Sequence, residues 1–286
     1  MALAALVPGA LIGWFVYESV GGPGGGSGTA AATTSSPSSG APVSPTGIAS
    51  NDDKPPNPGS LQGKVVVIDP GHNITNFQHT AEINRKVNIG TNWKECDTTG
   101  TSTNAGYAEA KFTMDVSHRL KAILEKQGVT VKLTHDGDSP SWGPCVDERA
   151  EIGNKAHADA AISIHADGAA VGDRGFHVIL PGSVHAGAAD TRAIVAPSAT
   201  LGRSIAVNYL HSTGEPRSNY IGDGTGLVTR TDLGGLNLST VPKVFIECGN
   251  MRDSKDAALL TNGAWRQQAA QGISAGIVSF LKHQES

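Results

Sequence analysis

The sequence predicts a single α/β domain: a mainly parallel twisted sheet flanked by helices, with its site at the carboxyl edge of the strands. Three observations lead there. Short β-branched runs such as Lys64-Val65-Val66-Val67-Ile68-Asp69 have the continuous apolar character of strands buried on both faces. Between them lie stretches with apolar residues at helical spacing, notably Ala108–Gln127 and the segment from Trp265 to Leu281. The two kinds of segment alternate along the chain, and sheets built that way bind ligands beyond the carboxyl ends of their strands.

The elements follow in order. The first strand runs from Lys64 to Asp69 and is closed by Pro70-Gly71; a long polar loop continues to about Asn104. In Ala108–Gln127 the residues Phe112, Val116, Leu120 and Ile123 form one stripe, and Gly128 stands where a C-terminal cap is expected. Val129–Thr134 is a second strand, Asp147–His157 a short polar helix, Ala160–Ile164 a third strand and Phe176–Leu180 a fourth. Ser198–His211 reads as a helix, placed just after Pro197 with Ser198 in the N-cap position. Lys243–Ile246 is another buried strand and leads into Glu247. Trp265, Ala269, Ile273, Ile277 and Phe280/Leu281 mark a C-terminal amphipathic helix.

Residues 1–60 have a different texture. Met1–Tyr17 is mostly apolar with no charged side chain; it is shorter than the ~20 residues of a membrane span but suits a signal-peptide core. Residues 1–20 are therefore read as a signal peptide or an N-terminal anchor, and the protein as exported to the periplasm or cell envelope. Residues 21–60, rich in Gly, Ser, Pro and Ala, cannot bury enough apolar surface to offset ordering and read as a disordered linker. Cys96 and Cys145 both fall in polar loops, which in an exported protein favours a disulfide, whereas Cys248 ends an apolar strand and reads as a buried thiol. Metal binding by the three cysteines is the competing reading, though no CxxC spacing supports it. The formal net charge is −4 without any Lys/Arg run, which argues against a nucleic-acid partner and leaves membrane contact to the possible N-terminal anchor.

Several polar residues sit where apolar ones are expected. His72, His165 and Glu247 each follow a strand run, so parallel neighbouring strands would bring them to one edge. Glu109 falls near the centre of the stripe made by Phe112, Val116 and Leu120, and a carboxylate on a buried face needs a cation or several donors. Two imidazoles and a carboxylate are a familiar zinc set with a fourth position for water, and a second carboxylate such as Glu247 can then act on that water. Each residue also has a structural reading. A strand-end histidine is commonly just hydrogen-bonded, Glu109 suits a helix first turn, and Glu247 could pair with Arg149 or Arg252.

The motifs carry a resemblance beyond these residues. Val67-Ile68-Asp69-Pro70-Gly71-His72, Glu109-Ala110-Lys111, Ser163-Ile164-His165-Ala166-Asp167 and the block from Asp232-Leu233-Gly234-Gly235-Leu236 to Val241-Pro242-Lys243-Val244-Phe245-Ile246-Glu247 are similar, in that order, to the zinc-dependent N-acetylmuramoyl-L-alanine amidases of the amidase type 3 family. The resemblance implies that residues 61–286 are a zinc amidase catalytic domain, with Zn2+ held by His72, Glu109 and His165 and with Glu247 as catalytic carboxylate. It implies peptidoglycan or muropeptide fragments as substrate. The chain departs from the family at Asn73-Ile74-Thr75, where glycines are usual, and at Cys248-Gly249-Asn250-Met251. The rival expectations are a zinc peptidase cutting within the stem peptide and a non-catalytic peptidoglycan-binding scaffold, with a hydrolase dependent on Cys248 more distant.

Overall fold

The β-branched run after Leu61 has no polar face, and it becomes an interior strand. In the computed structural model, which describes residues 61–284, β1 (Val65–Pro70) lies between two parallel neighbours. The signal peptide or anchor and the linker expected over residues 1–60 lie outside the described residues. The remaining elements are α1 (Thr80–Ile83), β2 (Lys86–Asn88), β3 (Trp93–Glu95), α2 (Glu109–Glu125), β4 (Thr130–Leu133), α3 (Val146–Lys155), β5 (Ala160–Asp167), β6 (His177–Pro181), β7 (His185–Ala186), β8 (Ala189–Asp190), α4 (Val195–Thr213), β9 (Leu227–Arg230), α5 (Gly234–Asn237), β10 (Lys243–Asn250), α6 (Ser254–Leu260) and α7 (Gly263–His283).

The main sheet has the order β4-β1-β5-β10-β6-β9. Its first four strands are parallel, β6 runs antiparallel to β10, and β9 is parallel to β6. The antiparallel seam has a simple cause. The link from Gly168 to Phe176 is shorter than the dozen or more residues a parallel crossover needs, so the chain turns back. One face of the sheet is covered by α2, α4 and α7 over Val66, Ile68, Ile162, Ile164, Val244 and Ile246. The other carries α3 and α5 and a smaller cluster of Val67, Ala158, Ala161 and Val241.

The long helices form for the reasons the sequence suggests. Phe112, Val116, Leu120 and Leu124 are fully buried along α2, and Gly128 just past its end takes the left-handed conformation at φ +88°. The α7 stripe from Trp265 to Leu281 is likewise buried, and Asn262 caps that helix by accepting from Ala264 N and Trp265 N. At Gly276 a Cβ would stand 2.5 Å from Ile205 Cα, so α4 and α7 approach backbone to backbone there and any side chain would force them apart.

The structure corrects three expectations. Helix α4 begins three residues earlier than expected, with Ile194 and not Ser198 at the N-cap. Pro197 is tolerated inside its first turn because the first amides of a helix have no partner within it, and Ser198 Oγ instead accepts from Lys243 N at 3.1 Å. The polar stretch after His72 is not a plain loop: it holds α1 and the β2–β3 hairpin, packed through Val87, Ile89, Cys96 and Cys145. Strands β5 and β10 both run past their expected ends, so His165 and Glu247 lie within the sheet, paired in register.

Candidate metal centre

The turn after β1 carries the first site residue. Gly71 N donates to Ile164 O at 2.9 Å and Gly71 O accepts from Thr113 Oγ1 at 2.7 Å, which ties the turn to both β5 and α2. His72 then adopts φ +60°, an uncommon conformation for a side chain of this kind and one that clusters at functional sites. A Cβ on Gly71 would stand 2.5 Å from the His165 ring, so the two histidines converge only because residue 71 has no side chain. Their rings meet edge to face with centroids 5.0 Å apart.

Glu109 completes the cluster from the first turn of α2. Its Oε2 is 3.3 Å from His72 Nε2 and its Oε1 is 2.9 Å from His165 Nδ1. One potential ligand atom from each of the three lies within 4.8 Å of the others. Glu109 is buried, and Thr101 N and Ala166 N donate to its two oxygens; it is thus more than a carboxylate settled at a helix end. Burial pushes its carboxyl up, but His72 pulls it well below the ordinary range. The converse holds for His72, where burial pulls the ring down and Glu109 raises it well above the usual histidine value. Mutual compensation of this kind is the state of a buried carboxylate that needs a cation. His72 Nδ1 lies 3.1 Å from Thr98 O, which can only accept. Nδ1 therefore carries a proton, and Nε2 is the nitrogen that faces the cluster.

A buried charge network lies behind His72, and the sequence reading did not anticipate it. Asp97 Oδ1 is 3.3 Å from His72 Nδ1, and Asp97 Oδ2 accepts from Arg149 Nη2 at 2.8 Å. Arg149 Nη1 donates to Asp69 Oδ1 at 2.7 Å, and Asp69 Oδ2 receives Ser163 Oγ at 2.6 Å and Lys243 Nζ at 3.3 Å. Against burial, Lys243 and Arg149 hold Asp69 well below the usual carboxylate range, and Arg149 does the same for Asp97. Lys243 at the head of an apolar strand was the one available signal. Cys96 and Cys145 form a disulfide, as expected, and it fastens the neighbour of Asp97 to the start of the helix that carries Arg149.

Glu247 stands beside His165 in β10 and opposite His177 in β6. Neither ion pair considered for it is formed: Arg149 is engaged in the network, and Arg252 Nη1 donates to Ser102 O. Its Oε2 is buried with no partner. Burial, with the negative charges of Asp167 and Glu109, pushes its carboxyl well above the ordinary range. Cys248 next to it is free and points into the core, where burial raises the thiol far out of the neutral range. A cavity of about 550 Å³ opens beside the cluster, lined among others by Ile74, Phe77, Thr99, Thr101, Ala108 and Lys111. Ile74, Phe77 and Thr99–Ser102 bring the stretch after His72 to the wall of this cavity.

A histidine–glutamate–histidine cluster on the carboxyl edge of a parallel sheet, next to a second carboxylate, is the outline of a metal-assisted hydrolase. The chain matches the N-acetylmuramoyl-L-alanine amidase family model of amidase type 3 over residues 66–279, and it belongs to that family of hydrolases. It is 42% identical over 229 residues to N-acetylmuramoyl-L-alanine amidase Rv3717 of Mycobacterium tuberculosis, covering 79% of this chain and 90% of that protein. The crystal structure of the amidase Ami1 from Mycobacterium smegmatis superposes with a TM-score of 0.71 at 39% identity, over 78% of this chain and 99% of that one. The amidase AmiC2 of Nostoc punctiforme shares the fold at 22% identity, with a TM-score of 0.56 over 77% and 98% of the two chains.

Proposed function

We propose that the chain is a zinc-dependent N-acetylmuramoyl-L-alanine amidase that hydrolyses the amide between the lactyl group of N-acetylmuramic acid and the L-alanine of peptidoglycan stem peptides. The observation that carries this reading is the convergence of His72, Glu109 and His165 within 4.8 Å beside a carboxylate, Glu247, with an unpartnered oxygen. His72 Nε2, His165 Nδ1 and a Glu109 oxygen are the proposed ligands. Two imidazoles and one carboxylate fit catalytic zinc, which keeps an open position for water. Bound there, the ion would supply a water of lowered pKa and polarise the scissile carbonyl.

Glu247 is the proton carrier. Its unpartnered oxygen is free to take a proton from water and to return it to the departing amine. A reaction through Cys248 conflicts with a thiol buried on the opposite side of the strand from Glu247. Residues 61–286 are the proposed catalytic domain. Because the substrate is cell-wall material, the proposal includes export by residues 1–20 as a signal peptide or anchor; among the described residues no helix is long and apolar enough to cross a membrane.

Mass spectrometry of muropeptides incubated with the protein, with and without a chelator, tests the reading. The expected products are a lactyl-sugar acid and a peptide beginning at L-alanine, formed only when zinc is present. Fragments cut within the stem peptide would point to a peptidase instead. Glu247→Ala should keep its zinc and lose most hydrolysis; near-normal release of stem peptide by that variant would sink the role of Glu247.

A further inference from the structure

The sheet sets three polar side chains abreast. β10 lies between β5 and β6, and Glu247 is in register with His165 on one side and His177 on the other. Residues paired in this way share one face, with Cβ atoms roughly 5 Å apart. His177 thus stands beyond Glu247 from the proposed metal ligands. It is 3% exposed, and its Nδ1 is buried without a hydrogen-bond partner, the same condition as Glu247 Oε2. Native proteins rarely leave such atoms unpaired. Two of them on register-paired residues beside a hydrolytic site point to a group that arrives with the substrate.

The His177 ring is nonetheless held in place. Tyr220 packs against it at 88° with centroids 5.9 Å apart, and the Tyr220 hydroxyl is already committed to Asp167 Oδ2 at 2.7 Å. Tyr220 therefore fixes the ring plane without occupying either nitrogen. Burial, against Asp167 and with Arg230, lowers the ring to about 4, and a neutral imidazole offers one nitrogen as an acceptor.

We propose that His177 is a further catalytic residue, which accepts the N–H of the scissile amide at its unprotonated ring nitrogen and so turns that nitrogen's lone pair toward Glu247. This rests on the amidase reading above. As water adds, an O–C bond forms, the carbonyl π pair moves onto oxygen, and a water proton goes to Glu247. The amide nitrogen pyramidalises, its lone pair takes that proton from Glu247, and the C–N bond breaks with its electron pair left on nitrogen while the carbonyl re-forms. His177 neither gains nor loses a proton; it selects the face of nitrogen that meets Glu247.

The test compares a muramyl-L-alanyl peptide with its depsipeptide counterpart, in which oxygen replaces the scissile N–H. The zinc-loaded full chain is assayed as wild type, as His177→Phe, which keeps a ring without an acceptor, and as His177→Gln, which supplies an acceptor oxygen. His177→Phe is expected to lower kcat on the amide roughly 10- to 100-fold, with KM and bound zinc nearly unchanged and ester turnover within about threefold of wild type. His177→Gln should recover most of the amide activity. Equal losses on amide and ester, loss of zinc from His177→Phe, or unchanged amide turnover would each overturn the proposal alone. Failure of the wild type to cleave either substrate would overturn the amidase reading, and this proposal with it.

Discussion

Asp97→Asn isolates what the charge network does for the proposed metal ligand. The substitution keeps shape and removes charge at a residue that is 6% exposed. Asp97 Oδ1 lies 3.3 Å from His72 Nδ1, but Thr98 O at 3.1 Å and Thr98 Oγ1 at 3.2 Å remain to receive that N–H. Loss of an outer partner of a metal-bound histidine weakens metal binding by about 10- to 100-fold. The surviving Thr98 carbonyl places this case at the lower end, about tenfold in Kd or roughly 1.4 kcal/mol. Arg149 keeps Asp69, Pro70 O and Pro144 O, so the fold should lose only about 1–3 kcal/mol. Zinc Kd is read by competition with a chromogenic chelator, and stability by urea unfolding of the metal-free protein. A Kd within twofold of wild type, with the fold intact, would refute the idea that Asp97 orients His72.

Three further outcomes are expected. Replacing Cys96 and Cys145 by serine opens a link across 49 residues of sequence, for which loop-closure entropy gives about 4 kcal/mol; a melting temperature lowered by roughly 10 °C is expected, and an unchanged melt would contradict it. Burial beside Asp256 raises Glu215 from 4.5 to about 7, so the unfolded chain releases this proton at lower pH than the folded one does. Wild-type stability should therefore fall between pH 4.5 and 7, by up to roughly 3 kcal/mol. Glu215→Gln should remove that decline, standing above wild type at pH 8 and level with it near pH 4; an advantage that grows toward acid would reverse the argument. Gly71→Ala puts a methyl 2.5 Å from the His165 ring, so calorimetric zinc titration should show affinity lost by tenfold or more while overpacking costs about 1–3 kcal/mol; normal affinity would show that the turn yields freely.

Some of the site was legible in the chain because its residues violate local rules. Glu109 lies on an otherwise apolar helix stripe, and His72, His165 and Glu247 follow apolar runs too short to be anything but strands. Asp97 was not legible: in Lys94-Glu95-Cys96-Asp97 nothing separates the buried carboxylate from its exposed neighbours. It is buried only because the disulfide and Arg149 draw that stretch inward. The four-residue elements β9 and α5 were missed because so few residues carry no measurable periodicity.

By itself the sequence determined the local elements, since burial on one face or both writes itself into the spacing of apolar residues. Together with its motifs it also determined the family resemblance and the candidates His72, Glu109, His165 and Glu247. Only the tertiary structure decided which polar groups meet. The insertion of β10 between β5 and β6 aligns His165, Glu247 and His177, residues that no sequence spacing relates. Strand order depends on which packing buries the most surface, and that is a property of the whole chain.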